Sequence, residues 1–470
     1  MNQALHIFKK DVGHLRYNIG ITLLAAAVFC FMRNPVILPA AWWFLIPKVI
    51  HEEPLPGTRQ FWRTRPYEWK SLLGAKSLFV VTFVNLPLLL ADALIVHAEG
   101  FSVLQEWAGL LWTQVLLISA IILPIAAFSA MTSGLIEMLT LTLFLILGFL
   151  AWIFISPLVH SGYNWMELEW IKTYVLVAQV AAAATVILLW QYARRNTFAT
   201  RMVAAAAALL VPFSSALFPW PAAFALQAQL SPRRIDASFF RITLDWDRKW
   251  LGRIYASGQD EMTADLPLRF SGLPAGTEVK LNGLTMTLDA PDGKTWIVKQ
   301  PPPSSFDMEE GIPSLRAVIG RESYMKLRGQ PLQIRGTLYF TLYGNKRSTF
   351  LPLNGIRIPV KGIGVCSGGA RFLRCASAFR QQSDSVGLQI MEDSRTGPKA
   401  TTEKSSFVAS YSPFPADLNI DPLYPLFSPR LGKIFEVRVD TFDTLAHLQR
   451  NFEINNVRLD DFAGSHSSSH

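Results

Sequence analysis

Residues 51–76 read HEEPLPGTRQFWRTRPYEWKSLLGAK, a basic and aromatic stretch set between an apolar run that ends near Ile50 and another that begins near Ser77. A polar segment between two such runs is the pattern of a loop joining membrane spans, so its reading decides the fold of the first half of the chain. Working outward, apolar runs cover residues 19–32, 36–50, 77–96, 104–130, 135–156, 171–192 and 202–219. A span needs about 20 residues, so the first two complete themselves only with flanking residues, as a tight hairpin turning at Arg33-Asn34-Pro35. Pro212 interrupts the last run, which a membrane helix tolerates when neighbours satisfy the freed carbonyl. The first run has no Ala-x-Ala-like exit and is followed at once by the second, so it reads as a retained span.

Charge divides the chain. Of 470 residues, half are hydrophobic and 17% are charged, against about a quarter charged in soluble domains. Residues 1–222 carry 14 Lys+Arg and 10 Asp+Glu, whereas residues 223–470 carry 30 and 25. The net charge of +9 is shared between the halves, so no concentrated patch for nucleic acid exists. Twelve cations (Lys9, Lys10, Arg16, Lys48, Arg59, Arg63, Arg65, Lys70, Lys76, Arg194, Arg195 and Arg201) fall on one side of the spans, against Arg33 and Lys172 on the other. The positive-inside rule then places the N-terminus in the cytoplasm and, with seven spans, everything after Pro219 outside.

The expected organisation follows. Residues 1–18 form an amphipathic interfacial helix with Leu5, Ile7, Phe8, Val12 and Leu15 on its apolar face. Residues 19–222 form an α-helical integral membrane domain of six to seven spans. Residues 223–460 alternate in polarity through FRITLDW, LPLRF, EVKLNGLTMTL, LQIRGTLYFTLYG, FEVRVDTF and FEINNVRL, the pattern of a mainly-β, sandwich-like extracytoplasmic domain. A helix is expected there only around residues 443–452, and residues 461–470 read as a disordered tail.

The loop carries a pattern of its own: Glu53, then Gly57-Thr58, Pro66 and Lys76 at fixed spacing. This resembles the loop by which permease subunits of the ATP-binding cassette (ABC) type-2 family engage their ATPase, and the resemblance covers about the first 220 residues. Two pairs depart from it: Arg59-Gln60 and Phe61-Trp62 stand where the family commonly has an aliphatic-acidic pair and leucines. Physically, Pro54, Pro56 and Gly57 break the helix leaving the membrane, and Thr58 can cap a new one. Phe61, Trp62 and Trp69 give that helix an apolar face at the interface, leaving Arg59, Arg63 and Arg65 for acidic lipid or an acidic groove. The resemblance implies a coupling loop of Glu53, Gly57, Thr58, Phe61, Trp62, Arg65, Pro66 and Lys76. It further implies ATP and magnesium bound by a separate ATPase subunit, a second permease subunit (the same chain or another), and export. The same pattern also suits a membrane-anchored binding, adhesion or envelope-assembly protein that uses a permease-like core without transport.

This chain has no GxxxxGK[ST], no HExxH, no CxxC pair and no acidic calcium loop, so no cofactor, metal or catalytic role is expected of it. Asp92 and Glu137 are candidate intramembrane polar residues. Asp92 reads either as a pathway or inter-helix contact or as an interfacial carboxylate beside His97 and Glu99, and Glu137 allows the same two readings. Cys366 and Cys375, in VCSGGARFLRC, read as a disulfide of an exported domain or as two buried thiols.

Overall fold

The computed structural model describes residues 2–32, 36–52, 68–159, 168–247, 253–256, 260–298, 314–352, 354–360, 364–368, 372–376, 379, 385–392, 399–408, 423–425 and 434–462. The first half is helical: α1 (Asn2–His14), α2 (Arg16–Met32), α3 (Ile37–His51), α4 (Trp69–Ala98), α5 (Trp107–Met131), α6 (Leu135–Val159), α7 (Glu169–Arg194), α8 (Thr197–Leu217) and α9 (Trp220–Gln229). Four of these are long and apolar enough to cross a membrane, in α4, α5, α7 and α8, or up to five if α1 and α2, bent by 79° between them, count as one. The helices α3 and residues 135–148 of α6 are shorter apolar elements.

Local chemistry explains the breaks. The α1–α2 corner falls at Leu15, which turns the amphipathic α1 out of line with the apolar α2. Between α7 and α8, Arg195 takes the left-handed conformation (φ 52°) and the Asn196 side chain accepts from the Ala199 N–H. A left-handed C-cap followed by an Asn N-cap reverses the chain in two residues. Within α4 and α5 the helix widens to a π-turn at Val81–Asn85 and at Ile118–Ile122. Pro87 and Pro124 follow these turns. A proline ring clashes with the carbonyl four residues back, here Phe83 and Ala120, and the wider turn makes room for it.

The helices share a core that includes Trp42, Leu45, Phe79, Met131 and Tyr192. Its outer faces are unusually apolar: Ile136, Phe144 and Phe154 on α6 and Phe198, Leu209 and Phe213 on α8 are exposed. A helix that is apolar all round belongs in lipid or against another protein, not in water.

The second half is mostly β, in β1 (Arg241–Leu244), β2 (Arg253–Ala256), β3 (Glu261–Ser271), β4 (Glu278–Asp289), β5 (Thr295–Ile297), β6 (Ser314–Gly320), β7 (Leu332–Pro352), β8 (Arg357–Val360), β9 (Gly364–Gly368), β10 (Phe372–Ala376), β11 (Ser385–Glu392), β12 (Lys399–Val408), β13 (Leu423–Pro425) and β14 (Ile434–Val457), with α10 (Arg321–Leu327) between β6 and β7. A six-stranded sheet runs β12-β11-β14-β7-β4-β5, and a smaller sheet is built on β3 with β1, β2 and β6. Leu266 and Leu268 of β3, Met286 of β4, Phe340 of β7 and Phe452 of β14 meet in one apolar core. A third sheet, β13-β10-β9-β8, sets Cys366 directly opposite Cys375 in its register.

Three expectations are corrected here. Residues 443–452 are strand, not helix: β14 runs unbroken from Ile434 to Val457 and pairs with β7 from Glu436 to Val457. The segment TLAHLQRN is rich in helix formers, but pairing with an apolar strand some hundred residues earlier overrides that local preference. The boundary near residue 222 is crossed by α9, because Pro221 sits in the first turn of a helix, where a missing N–H costs nothing. Residues 461 and 462, expected in the tail, close a short helical turn whose Phe462 is buried against the β core.

Candidate functional site

Of the predicted coupling-loop residues, Glu53, Gly57, Thr58, Phe61, Trp62, Arg65 and Pro66 lie outside the described residues. Lys76 is described, and its side chain does not face outward. It is buried in α4 and its Nζ donates to Asp11 Oδ2 of α1 at 2.8 Å, with side chains 5% and 1% exposed. Around the pair, Ile7 is fully buried and the Phe8 ring lies 6.3 Å from Phe79 and 6.1 Å from Phe83. The amphipathic α1 is thus clamped to the first half of α4 by an apolar seam that encloses the Asp11–Lys76 ion pair. The 51–76 loop therefore leads straight into the helix that holds α1.

The same end of the bundle carries further polar ties. His51 Nε2 lies 2.9 Å from the Ser129 carbonyl and 3.1 Å from Thr132 Oγ1. Arg201 donates to the Met131 carbonyl and pairs with Glu137. Glu137 also accepts from the Ser133 backbone N–H at 2.7 Å. This glutamate is a cap and ion-pair partner at the start of α6, at the end of the bundle.

Asp92 is different. It is 4% exposed on the buried face of α4, so it is not a solvated carboxylate beside His97 and Glu99. Two turns earlier, Asn85 Nδ2 donates to Gln114 Oε1 of α5 at 3.1 Å, and both amides are buried. These amides escaped the sequence reading because a lone Asn or Gln carries no charge. The signal that could have found them is a lone side-chain amide in the middle of each of two successive apolar runs.

At the opposite end the β region is fastened to the helices twice. Phe379 packs between Val96 and Leu110, flat against Gly109, where an added Cβ would stand 2.3 Å from its ring. Beside it, Arg357 of β8 pairs with Glu99 at 3.8 Å. The second fastening is α9. Trp220 and Phe224 stack at 5.6 Å, both meet Tyr339 of β7 edge-on, and all three share a cluster with Leu168 and Ile171 at the start of α7. Trp220 fits because β4 is bulged at Asn282 and presents Gly283, whose added Cβ would meet the indole at 2.4 Å.

Comparison of the chain with family models and with curated proteins finds no match.

Beneath α9 runs a buried polar chain. Asn282 Nδ2 donates to Thr341 Oγ1 at 2.9 Å, Thr341 Oγ1 lies 2.9 Å from His447 Nδ1, and the Gln227 amide lies 3.2 Å from His447 Nε2. Burial pushes the His447 imidazole down to about 3, so the folded chain holds it neutral. An unfolded imidazole titrates near 6.5, so above that pH the group contributes no slope. As pH falls from about 6.5 towards 3, the unfolded state takes up a proton that the folded state refuses, and stability drops by up to ~1.4 kcal/mol per pH unit. Melting of the full chain in detergent, followed by tryptophan fluorescence, is expected to show this acid slope, and His447→Gln to flatten it. An unchanged slope in the variant would remove His447 as its source.

Among the described residues, no three His, Cys, Asp or Glu side chains converge as a metal site.

Proposed function

We propose that the chain is the permease subunit of an ABC type-2 transporter, driven by a separate ATPase and working with a second permease subunit, with export as its direction. In this reading seven segments, α2 to α8 with α4 and α5 each crossing once, traverse the cell membrane. The N-terminus lies inside, and the β region stands outside as a two-sheet sandwich. The observation that carries the reading is the buried Asp11–Lys76 pair, which ties the interfacial helix to the root of the 51–76 loop. Both elements lie away from the ends of α4, α5 and α7 that contact the β region. A force applied to the loop by a partner would reach α1 and α4 together. ATP and magnesium would be held by that partner.

The test is copurification of the full chain from its native membrane. A P-loop ATPase is expected in the complex. Charge reversal at Glu53 or Arg65, or Gly57→Val, is expected to lower stimulated hydrolysis severalfold while membrane insertion stays intact. Wild-type stimulation in all three variants would remove the loop as the transmission element. A second reading, in which the same core works mechanically on an envelope or adhesion partner without moving a substrate, is favoured by the double fastening of the β region to the helices. Stimulated hydrolysis without vectorial transport in proteoliposomes would select it.

An outside location also makes the Cys366–Cys375 bond expected. Cysteines opposite each other on antiparallel strands have Cα atoms about 4.5–5.5 Å apart, within the reach of a disulfide. Cys366 is buried and Cys30 is free. Alkylation of denatured, non-reduced protein is expected to label Cys30 alone, with two further sites appearing after reduction. Three labelled sites before reduction would contradict both the bond and the outside location.

A further inference from the structure

Asn85, Gln114 and Asp92 are 6%, 8% and 4% exposed. Asn85 Oδ1, Gln114 Nε2 and Asp92 Oδ2 have no hydrogen-bond partner among the described residues. Each orphaned polar atom in an apolar interior costs roughly 1–3 kcal/mol, and an unpaired carboxylate more. Three such atoms lie within one helix pair, and both helices carry a π-turn beside the amides, one ending at Asn85 and the other beginning four residues after Gln114. Widened turns of this kind recur at functional sites.

Two of the three share one helix face. Asn85 and Asp92 are seven residues apart on α4 and share its buried face with Leu88 and Ile95, about 10 Å apart along the axis and with the carboxyl nearer the β-region end. Across from them, Gln114 lies on α5 and is joined to Asn85. The orphaned atoms are chemically complementary: an amide donor and an amide acceptor on two hydrogen-bonded side chains, which suit water or an ammonium hydration shell, and a carboxylate oxygen two turns along α4. Leu90 and Leu94, on the other face of α4, are 63% and 62% exposed, so the face that carries Asn85 and Asp92 is turned away from the surface that meets lipid or a neighbour.

We propose that Asp92, Asn85 and Gln114 form a hydrated polar site inside the helical half that takes a small cation, with the paired amides beside the π-turns at one end and the carboxylate at the other. The carboxylate attracts the cation and the amides replace part of its water shell. The proposal is independent of whether an ATPase drives the chain.

The test is thiol labelling of the full chain in membranes, in a Cys30→Ala background. Single cysteines are placed at Leu88 and, as the smaller replacement on the same buried face, at Ala91. Both leave the three polar side chains intact. A small thiosulfonate bearing an ammonium group is expected to label both sites about tenfold faster than one bearing a sulfonate, the ratio that ~1.4 kcal/mol of charge preference gives. Asp92→Asn is expected to bring that ratio near one. Leu90→Cys and Leu94→Cys are expected to stay unlabelled, because a lipid-facing thiol does not ionise. Protection of the Ala91→Cys site by methylammonium or by sodium would identify an organic or an inorganic cation respectively. Absence of labelling at both buried sites, equal rates with the two reagents, or a ratio unchanged by Asp92→Asn would each overturn the proposal.

Discussion

Lys76→Met is expected to lower the stability of the helical half by ~3–5 kcal/mol, because it removes the ammonium from beside an Asp11 carboxylate that is 1% exposed. Asp11→Leu is expected to act similarly by stranding the ammonium. The double variant Asp11→Leu/Lys76→Leu is expected to recover most of the loss, since apolar replacement of both partners of a buried pair removes the desolvation cost along with the attraction. Thermal unfolding of the full chain in detergent reads the stability. Trypsin cleavage at Lys9, exposed on α1, reads whether the helix has come away from α4. If Lys76→Met melts like wild type and Lys9 stays protected, the ion pair is dispensable and the seam is held by Phe8, Phe79 and Phe83 alone.

The second large effect is expected at Gly109. Any side chain there meets the Phe379 ring at 2.3 Å, and the contacted atoms are at the root of the ring, which cannot swing aside as a chain end would. Gly109→Val is expected to expel Phe379 and expose the Val96–Leu110 pocket. Phe379→Ala alone is expected to cost about 3–5 kcal/mol of local stability, as for other buried aromatics. Gly109→Ala in the Phe379→Ala background is expected to cost nothing more, a coupling that only direct contact produces. Hydrogen exchange over residues 96–110 reads all three variants. Additive effects would mean that the ring rests elsewhere.

What could be read from the residues depended on how far apart the partners lie. The amphipathic α1 was legible because Ile7, Phe8 and Val12 recur at helical spacing within one window. That Lys76 answers Asp11 was not, because the pair is 65 residues apart and a lysine at the foot of a loop satisfies the positive-inside rule equally well. The β character of the second half was evident in its alternation, yet residues 443–452 read as helix because their partner strand, β7, is remote in the chain. Trp220-Pro221 marked a change of composition, and the structure turns that punctuation into the helix which joins the two halves. Asp92 was singled out by its charge. The amides that accompany it were silent, since their meaning comes from a neighbouring helix.

The position of β14 sets an order of events in the life of the chain. It lies third in the six-stranded sheet, between β11 and β7, and pairs with each of them. The sheet therefore cannot close from its N-terminal side as it leaves the ribosome. Strands β7 and β11 must wait, each with one edge unpaired, until Val457 has been synthesised and delivered to the same compartment. During that interval the helices are already made and the apolar edges of β7 and β11 stand open. A chain interrupted anywhere before Ile434 would lose the middle of its sheet rather than a margin, so premature termination here is expected to yield an aggregating product, not a shortened working one.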